Sequence, residues 1–136
     1  MDLNPYLTFN GQCEAAFKFY EQVLGGRIVT MVPHEGTPAG SHVPADWGKK
    51  ILHARLSVRD KVLMGSDVSS DRYESSKGMS VSISVDTPEE AERIFHALSE
   101  KGTVQMPIQK TFFSARFGMF LDQFGIPWMV ICEPAA

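Results

Sequence analysis

The hydrophobic pattern of this chain runs through one cycle and then starts again. Residues 3–9, LNPYLTF, set Asn4, Tyr6 and Thr8 against Leu3, Leu7 and Phe9, the two-residue period of a strand. Residues 12–24 place Ala16, Phe17, Tyr20, Val23 and Leu24 on one helical stripe, and Gly25-Gly26 stops that helix. RIVTMV at 27–32 is a short strand. Residues 33–50, rich in proline and glycine, predict a long irregular loop. Residues 51–58, ILHARLSV, alternate again and turn at Arg59-Asp60 into KVLMGSD, which makes a hairpin. A polar linker, 68–78, follows.

Then the cycle repeats. MSVSISVD at 79–86 is a strand with Ser80, Ser82 and Ser84 on one face and Val81, Ile83 and Val85 on the other. TPEEAERIFHALSEKG is a helix with Thr87 as N-cap, Pro88 at its first position, Glu89 and Glu90 in its first turn and Gly102 at its stop. Strands are expected at about 103–109, 112–121 and 126–133, the last two separated by the turn DQFGIP. The chain therefore reads as strand–helix–strand–strand–strand twice, a first βαβββ module over 3–67 and a second over 79–133. Its 136 residues suit one domain of the α+β class. The helix-facing sides of the strands are apolar. The other sides carry Asn4, Tyr6, Thr8, His53, Arg55, Ser57, Ser66, the three serines and Arg116. Alternation alone does not say whether that polar side meets bulk water or lines a cavity.

Composition removes several classes of function. The chain is 43% hydrophobic and 21% charged, which excludes a disordered segment. No apolar run reaches membrane-span length and MDLNPYLTF is not a signal peptide, so a cytoplasmic protein without membrane partners is expected. The net charge of −3, with no basic cluster, argues against nucleic acid. Cys13 and Cys132 read as free thiols. Cys13 sits near a helix start, where a reactive thiol is one reading and a plain buried one the other. No G-x-G-x-x-G or P-loop is present.

The doubled unit together with FYEQVLGG at 19–26 resembles the vicinal-oxygen-chelate superfamily, which includes glyoxalase I, bleomycin-resistance proteins and extradiol dioxygenases. NPYLTFNGQCEAAFKFYEQVLGG, HARLSV, LMGSD and FFSARFGMFLDQFGIPWMV are similar to its PhnB-like branch over nearly the whole chain. The resemblance implies that each module contributes a curled, mixed and mainly antiparallel sheet, that the sheets form a cup lined by the polar faces, and that the protein is a homodimer. The four positions that hold metal in the superfamily's enzymes fall on Asn4 (or Pro5), Met64, Ser80 and Met129. None offers the imidazole or carboxylate that a divalent centre needs, so neither metal nor other cofactor is expected. His34, Glu35, His42 and Asp46 in the long loop match no regular metal spacing. Some relatives carry a ubiquinone-pathway methyltransferase label, but no glycine-rich loop follows a first strand here to hold a methyl donor.

The expectation is a metal-independent protein that binds a small molecule through Tyr6, Thr8, His53, Arg55, Ser66, Ser80, Ser82 and Arg116. An alternative is a lyase or isomerase acting on a small oxygenated metabolite, with His53 as base and Arg55 or Arg116 as anion clamp. A third is a structural or regulatory dimer with a vestigial cup. Trp128 and Phe117 are expected on the helix side, in the core, and Trp47 and Phe112 on a lid or rim.

Overall fold

The structure, a computed structural model, describes residues 1–134. The first unit, Met1–Glu74, holds β1 (Tyr6–Phe9), α1 (Cys13–Leu24), β2 (Arg27–Pro33), β3 (Ile51–Val58) and β4 (Lys61–Asp67). The second, Ser75–Ala136, holds β5 (Val81–Val85), α2 (Pro88–Ser99), β6 (Thr103–Gln109), β7 (Arg116–Leu121) and β8 (Pro127–Cys132). Each unit is a four-stranded sheet, in the orders β1-β4-β3-β2 and β5-β8-β7-β6. The first pair of each sheet is parallel and the rest antiparallel. This is the α+β class with two βαβββ units.

In the first unit, α1 lays Ala16, Phe17, Tyr20 and Val23 on a sheet face made by Leu7, Phe9, Ala54, Leu56 and Leu63. The approach is close because β4 has a glycine under the helix. A Cβ on Gly65 would stand 2.9 Å from Phe17 Cε1. Burial of a side chain such as Phe17 stabilises by about 1.5–3 kcal/mol. The helix ends at Gly25, which takes the left-handed conformation (φ 72°) and donates its N–H to Glu21 O.

The start of α1 is capped from a distance. Gln12 gives no side-chain hydrogen bond. Asp67, the last residue of β4, lies under the helix instead and accepts from Cys13 N at 2.9 Å and from Ile51 N at 2.8 Å. One buried carboxylate thereby tethers the helix start to the start of β3. The second unit solves the same problem locally. Thr87 Oγ1 accepts from Glu90 N at 3.2 Å, and Glu89 and Glu90 favour the positive helix end.

The second core is Ile94, Phe95 and Leu98 of α2 against Phe120, Trp128 and Val130. Phe95 meets Phe120 edge-on, with centroids 5.2 Å apart, and lies over Gly118. Trp128 is in the core as expected, and its indole N–H donates to buried Asp122 at 2.9 Å. Two details differ from the expected pattern. Residues 112–115 form a loop, with Thr111 Oγ1 and Ser114 Oγ bonded at 2.6 Å across it, and β7 begins only at Arg116. Phe117 lies opposite the helix side. It pairs with Ile131 and packs on Phe113, because Gly118 and Phe120 take the helix side of β7.

Candidate functional site

Strand register decides which side chains share the face away from each helix. In the first sheet Leu7 pairs with Gly65, and Ala54 with Gly65, all toward α1. Tyr6 then pairs with Met64, Thr8 with Ser66, and Arg55 with both Met64 and Thr30. His53 lies across from Val32 on the same side as Arg55. The expected residues Tyr6, Thr8, His53, Arg55 and Ser66 are therefore brought onto one open face.

Two contacts organise that face. Tyr6 Oη lies 3.1 Å from His53 Nδ1, and the two rings stack at 5.8 Å with 23° between their planes. When Tyr6 donates, Nδ1 accepts and the ring's N–H is at Nε2, a donor. Arg55 Nη1 donates to Met64 Sδ at 3.4 Å, a weak acceptor. No carboxylate among the described residues pairs with Arg55: the acids in ion pairs are Glu14, Asp60, Glu90 and Glu92, each with another partner. A half-buried guanidinium without a counter-ion favours an incoming anion, and its fork fits a carboxylate or phosphate.

The open face of the second sheet differs in kind. Ser82 pairs with Met129 and Ser84 with Ile131, so the serines do occupy it, along edge strand β5. The rest is apolar: Met129 pairs with Met119, and Phe117 with Ile131. A groove of about 720 Å³ lies over this face, with Ser80, Met119, Leu121 and Met129 in its lining and residues 75–79 along its rim. A smaller cavity of about 370 Å³, with Ser84, Asp86 and Cys132 in its lining, sits at the other end of β5. Ser82 lines neither of these cavities.

Arg116 is on the wrong side for the role expected of it. It pairs in register with Cys132, whose side chain is buried, and its Nε donates to Glu92 Oε1 of α2 at 3.1 Å. Its Nη1 is held by Ala115 O at 2.7 Å. The pair ties the first residue of β7 to the helix, so Arg116 is a helix-face ion pair and not an open-face anion clamp.

The positions that would hold a metal in the superfamily's enzymes present an amide, two thioethers and a hydroxyl. Asn4 Nδ2 is already spent on Val62 O at 3.2 Å, and the carbonyl of Pro5 accepts from Met64 N. This donor set does not fit a divalent cation. Among the described residues no three His, Cys, Asp or Glu side chains gather to hold a metal ion. In the long loop His34 is buried and its Nδ1 donates to Lys50 O at 2.8 Å, while His42 and Asp46 face solvent. The loop is anchored: Lys50 Nζ donates to Gly11 O at 3.0 Å and stands 5.8 Å over the Trp47 ring. Phe112, 99% exposed, projects from the 112–115 loop.

Cys13 is a poor nucleophile. Burial pushes its thiol far above the usual range, and the charges of Asp67 and Glu14 push it further. The buried carboxylates Asp67 and Asp122 went unnoticed in the sequence. Both follow glycine-, serine- or leucine-rich strand ends, where an acid reads as a turn residue. Asp122 accepts from Phe124 N, Ile126 N and Trp128 Nε1, so it shapes the β7–β8 turn.

The fold, with its two four-stranded mixed sheets and one helix on each, is that of the glyoxalase, bleomycin-resistance and dioxygenase domains, which solved structures at low identity share. Within that class, the family described as 3-demethylubiquinone-9 3-methyltransferase matches residues 1–131, and the chain belongs to this family. Protein YjdN of Escherichia coli is 30% identical over 141 residues, covering 96% of this chain and 94% of its own. The crystal structure of protein PA1353 from Pseudomonas aeruginosa superposes with a TM-score of 0.89 at 51% identity, covering 98% of each chain. A PhnB protein from Bacillus cereus superposes with a TM-score of 0.83 at 24% identity, over 98% of this chain and all of that one. No helix among the described residues is long and apolar enough to cross a membrane.

Proposed function

We propose that this protein binds a small anionic molecule without the help of a metal, on the open face of its first sheet. The observation that carries the reading is Arg55: half-buried, resting on a thioether, unpaired by any described carboxylate and flanked by the Tyr6–His53 pair. Thr8, Ser66 and Thr30 add hydroxyls to the same face. Arg55 would hold a carboxylate or phosphate in its fork, and His53 Nε2 would donate to a neighbouring oxygen. Binding as a cytoplasmic homodimer belongs to the same reading.

Methyl transfer has less support. The β1–α1 connection is only Asn10, Gly11 and Gln12, and β1 is an edge strand of a mixed sheet. The crevice at the carboxyl ends of a parallel sheet, where nucleotide-like donors sit, has no counterpart in such a unit. A second reading rests on the 3.1 Å contact of Tyr6 with His53. It would make His53 a general base when Tyr6 Oη accepts from Nδ1–H, which leaves Nε2 unprotonated to take a proton in isomerase or lyase chemistry on the bound anion.

A thermal-shift panel of small carboxylates, phosphates and phosphonates tests binding. A ligand at a hundred times its Kd stabilises by about 2.7 kcal/mol, a rise of several degrees. The rise should vanish in Arg55→Met and survive in Arg116→Gln. A ligand whose effect ignores Arg55→Met would overturn the reading. Turnover lost in His53→Ala with binding retained would favour the enzyme. Light scattering of the purified protein measures the homodimer directly.

A further inference from the structure

The second unit builds a binding groove whose chemistry differs from that of the Arg55 face. Met119 lies directly across from Met129 on one side and from Met106 of β6 on the other, and Met119 and Met129 line the groove together with Gln105 of β6. Leu121 extends this floor. Residues 75–80 run along it and supply the rim, with Ser76, Lys77, Met79 and Ser80 in the lining. The space of about 720 Å³ is that of a drug-sized ligand site.

Two properties of the lining define the occupant. Methionine is unbranched and polarizable, adapts to irregular apolar shapes and makes favourable contacts with aromatic rings. A floor of this kind suits a flat apolar body and suits a sugar or a polyol poorly. The charge is one-sided as well: Lys77 is the one charged residue in the lining, and no acid stands there. Lys77 takes part in no ion pair among the described residues.

We propose that this groove binds a small amphipathic carboxylate. Its aromatic or aliphatic body lies on Met119 and Met129, and its carboxylate meets the Lys77 ammonium with the hydroxyls of Ser76 and Ser80 beside it. The three-serine alternation supplies one hydroxyl, Ser80, to a lining whose other polar side chains are Ser75, Ser76, Lys77 and Gln105. The proposal goes beyond the Arg55 reading and does not depend on it.

The test is NMR of the full-length protein labelled with [methyl-13C]methionine, which gives one probe at each of seven methionines. The ligands are 2-naphthoate and its neutral counterpart 2-naphthamide. Naphthoate should move the Met79, Met119 and Met129 methyls and leave Met1, Met31 and Met64 still. Lys77→Gln, in an exposed rim segment, should weaken naphthoate about two- to five-fold, the range for an exposed charge pair, and leave naphthamide unchanged. Met129→Gln should weaken both. No methionine shift with either ligand at millimolar concentration would overturn the groove. Equal binding of naphthoate and naphthamide would overturn the carboxylate assignment. Shifts confined to Met64 would also overturn the groove, while leaving the Arg55 reading standing.

Discussion

Asp67 should be among the most costly single residues to remove, although it touches no candidate ligand face. It is 3% exposed and accepts from Cys13 N and Ile51 N at 2.9 and 2.8 Å. Asp67→Ala leaves two buried N–H groups without partners, each costing about 1–3 kcal/mol. It also removes a negative charge from the start of α1, a loss of roughly 0.5–1 kcal/mol. The sum is about 2.5–7 kcal/mol, against a total domain stability of about 5–15 kcal/mol. Asp67→Asn keeps one carbonyl oxygen and one N–H acceptor role, so it should cost roughly half as much. For comparison, Thr87→Ala at the start of α2 removes one exposed cap bond and should cost about 1 kcal/mol. Urea unfolding followed by far-UV circular dichroism measures all three. The order Asp67→Ala, then Asp67→Asn, then Thr87→Ala, with unchanged m-values, is expected. If Asp67→Ala costs less than about 1 kcal/mol, the distant cap is not what holds α1 to β3.

Three further outcomes are expected. In Gly118→Ala the new Cβ would stand 2.6 Å from Phe95 Cε2, so overpacking should cost about 1–3 kcal/mol in the same unfolding assay. Cys13 keeps its proton when folded, whereas the unfolded thiol ionises near its ordinary value of 9.0. The unfolded state then binds fewer protons, so stability should be flat below pH 9 and fall above it, by up to about 1.4 kcal/mol per unit; in Cys13→Ala that alkaline fall should shrink. Arg116→Gln breaks a pair whose arginine side chain is 34% exposed, so it should cost at most about 1 kcal/mol and leave ligand binding intact; a lost ligand response in this variant would restore Arg116 to the site.

Much of this was legible in the sequence, for reasons that can be stated. Alternation is a local property, so it sorted Tyr6, Thr8, His53, Arg55 and Ser66 onto one face correctly. Helix α2 declares its start through Thr87 and Pro88, which act within a turn of where they stand, whereas it ends at Ser99, ahead of the expected stop at Gly102, and the left-handed residue that follows is Lys101 (φ 63°). Strand β7 departs from the expected facing because both of its faces look apolar. Phe117, Met119 and Leu121 make the more core-like row, yet the helix side belongs to Arg116, Gly118 and Phe120. The reason is the Phe95 ring, which occupies the volume over Gly118. A glycine marks the buried side here because a large side chain from another element needs its space, and alternation cannot register that.

The two units also show why a repeat of pattern need not be a repeat of residues. Phe9 pairs with Asp67 at the end of the first parallel strand pair, and Val85 pairs with Cys132 at the end of the second. These are matching places, each under the start of its unit's helix. The first helix opens on Gln12-Cys13 and cannot cap itself, so the strand below supplies a buried carboxylate. The second opens on Thr87-Pro88 and caps itself, so the strand below is free to carry an uncharged, buried thiol. The acid and the helix start therefore act as one structural unit spread over distant residues. A search for function that starts from buried carboxylates would have stopped at Asp67. Its two backbone donors account for both its oxygens, whereas Arg55 is half-buried on the open face with a thioether and no carboxylate as its partner.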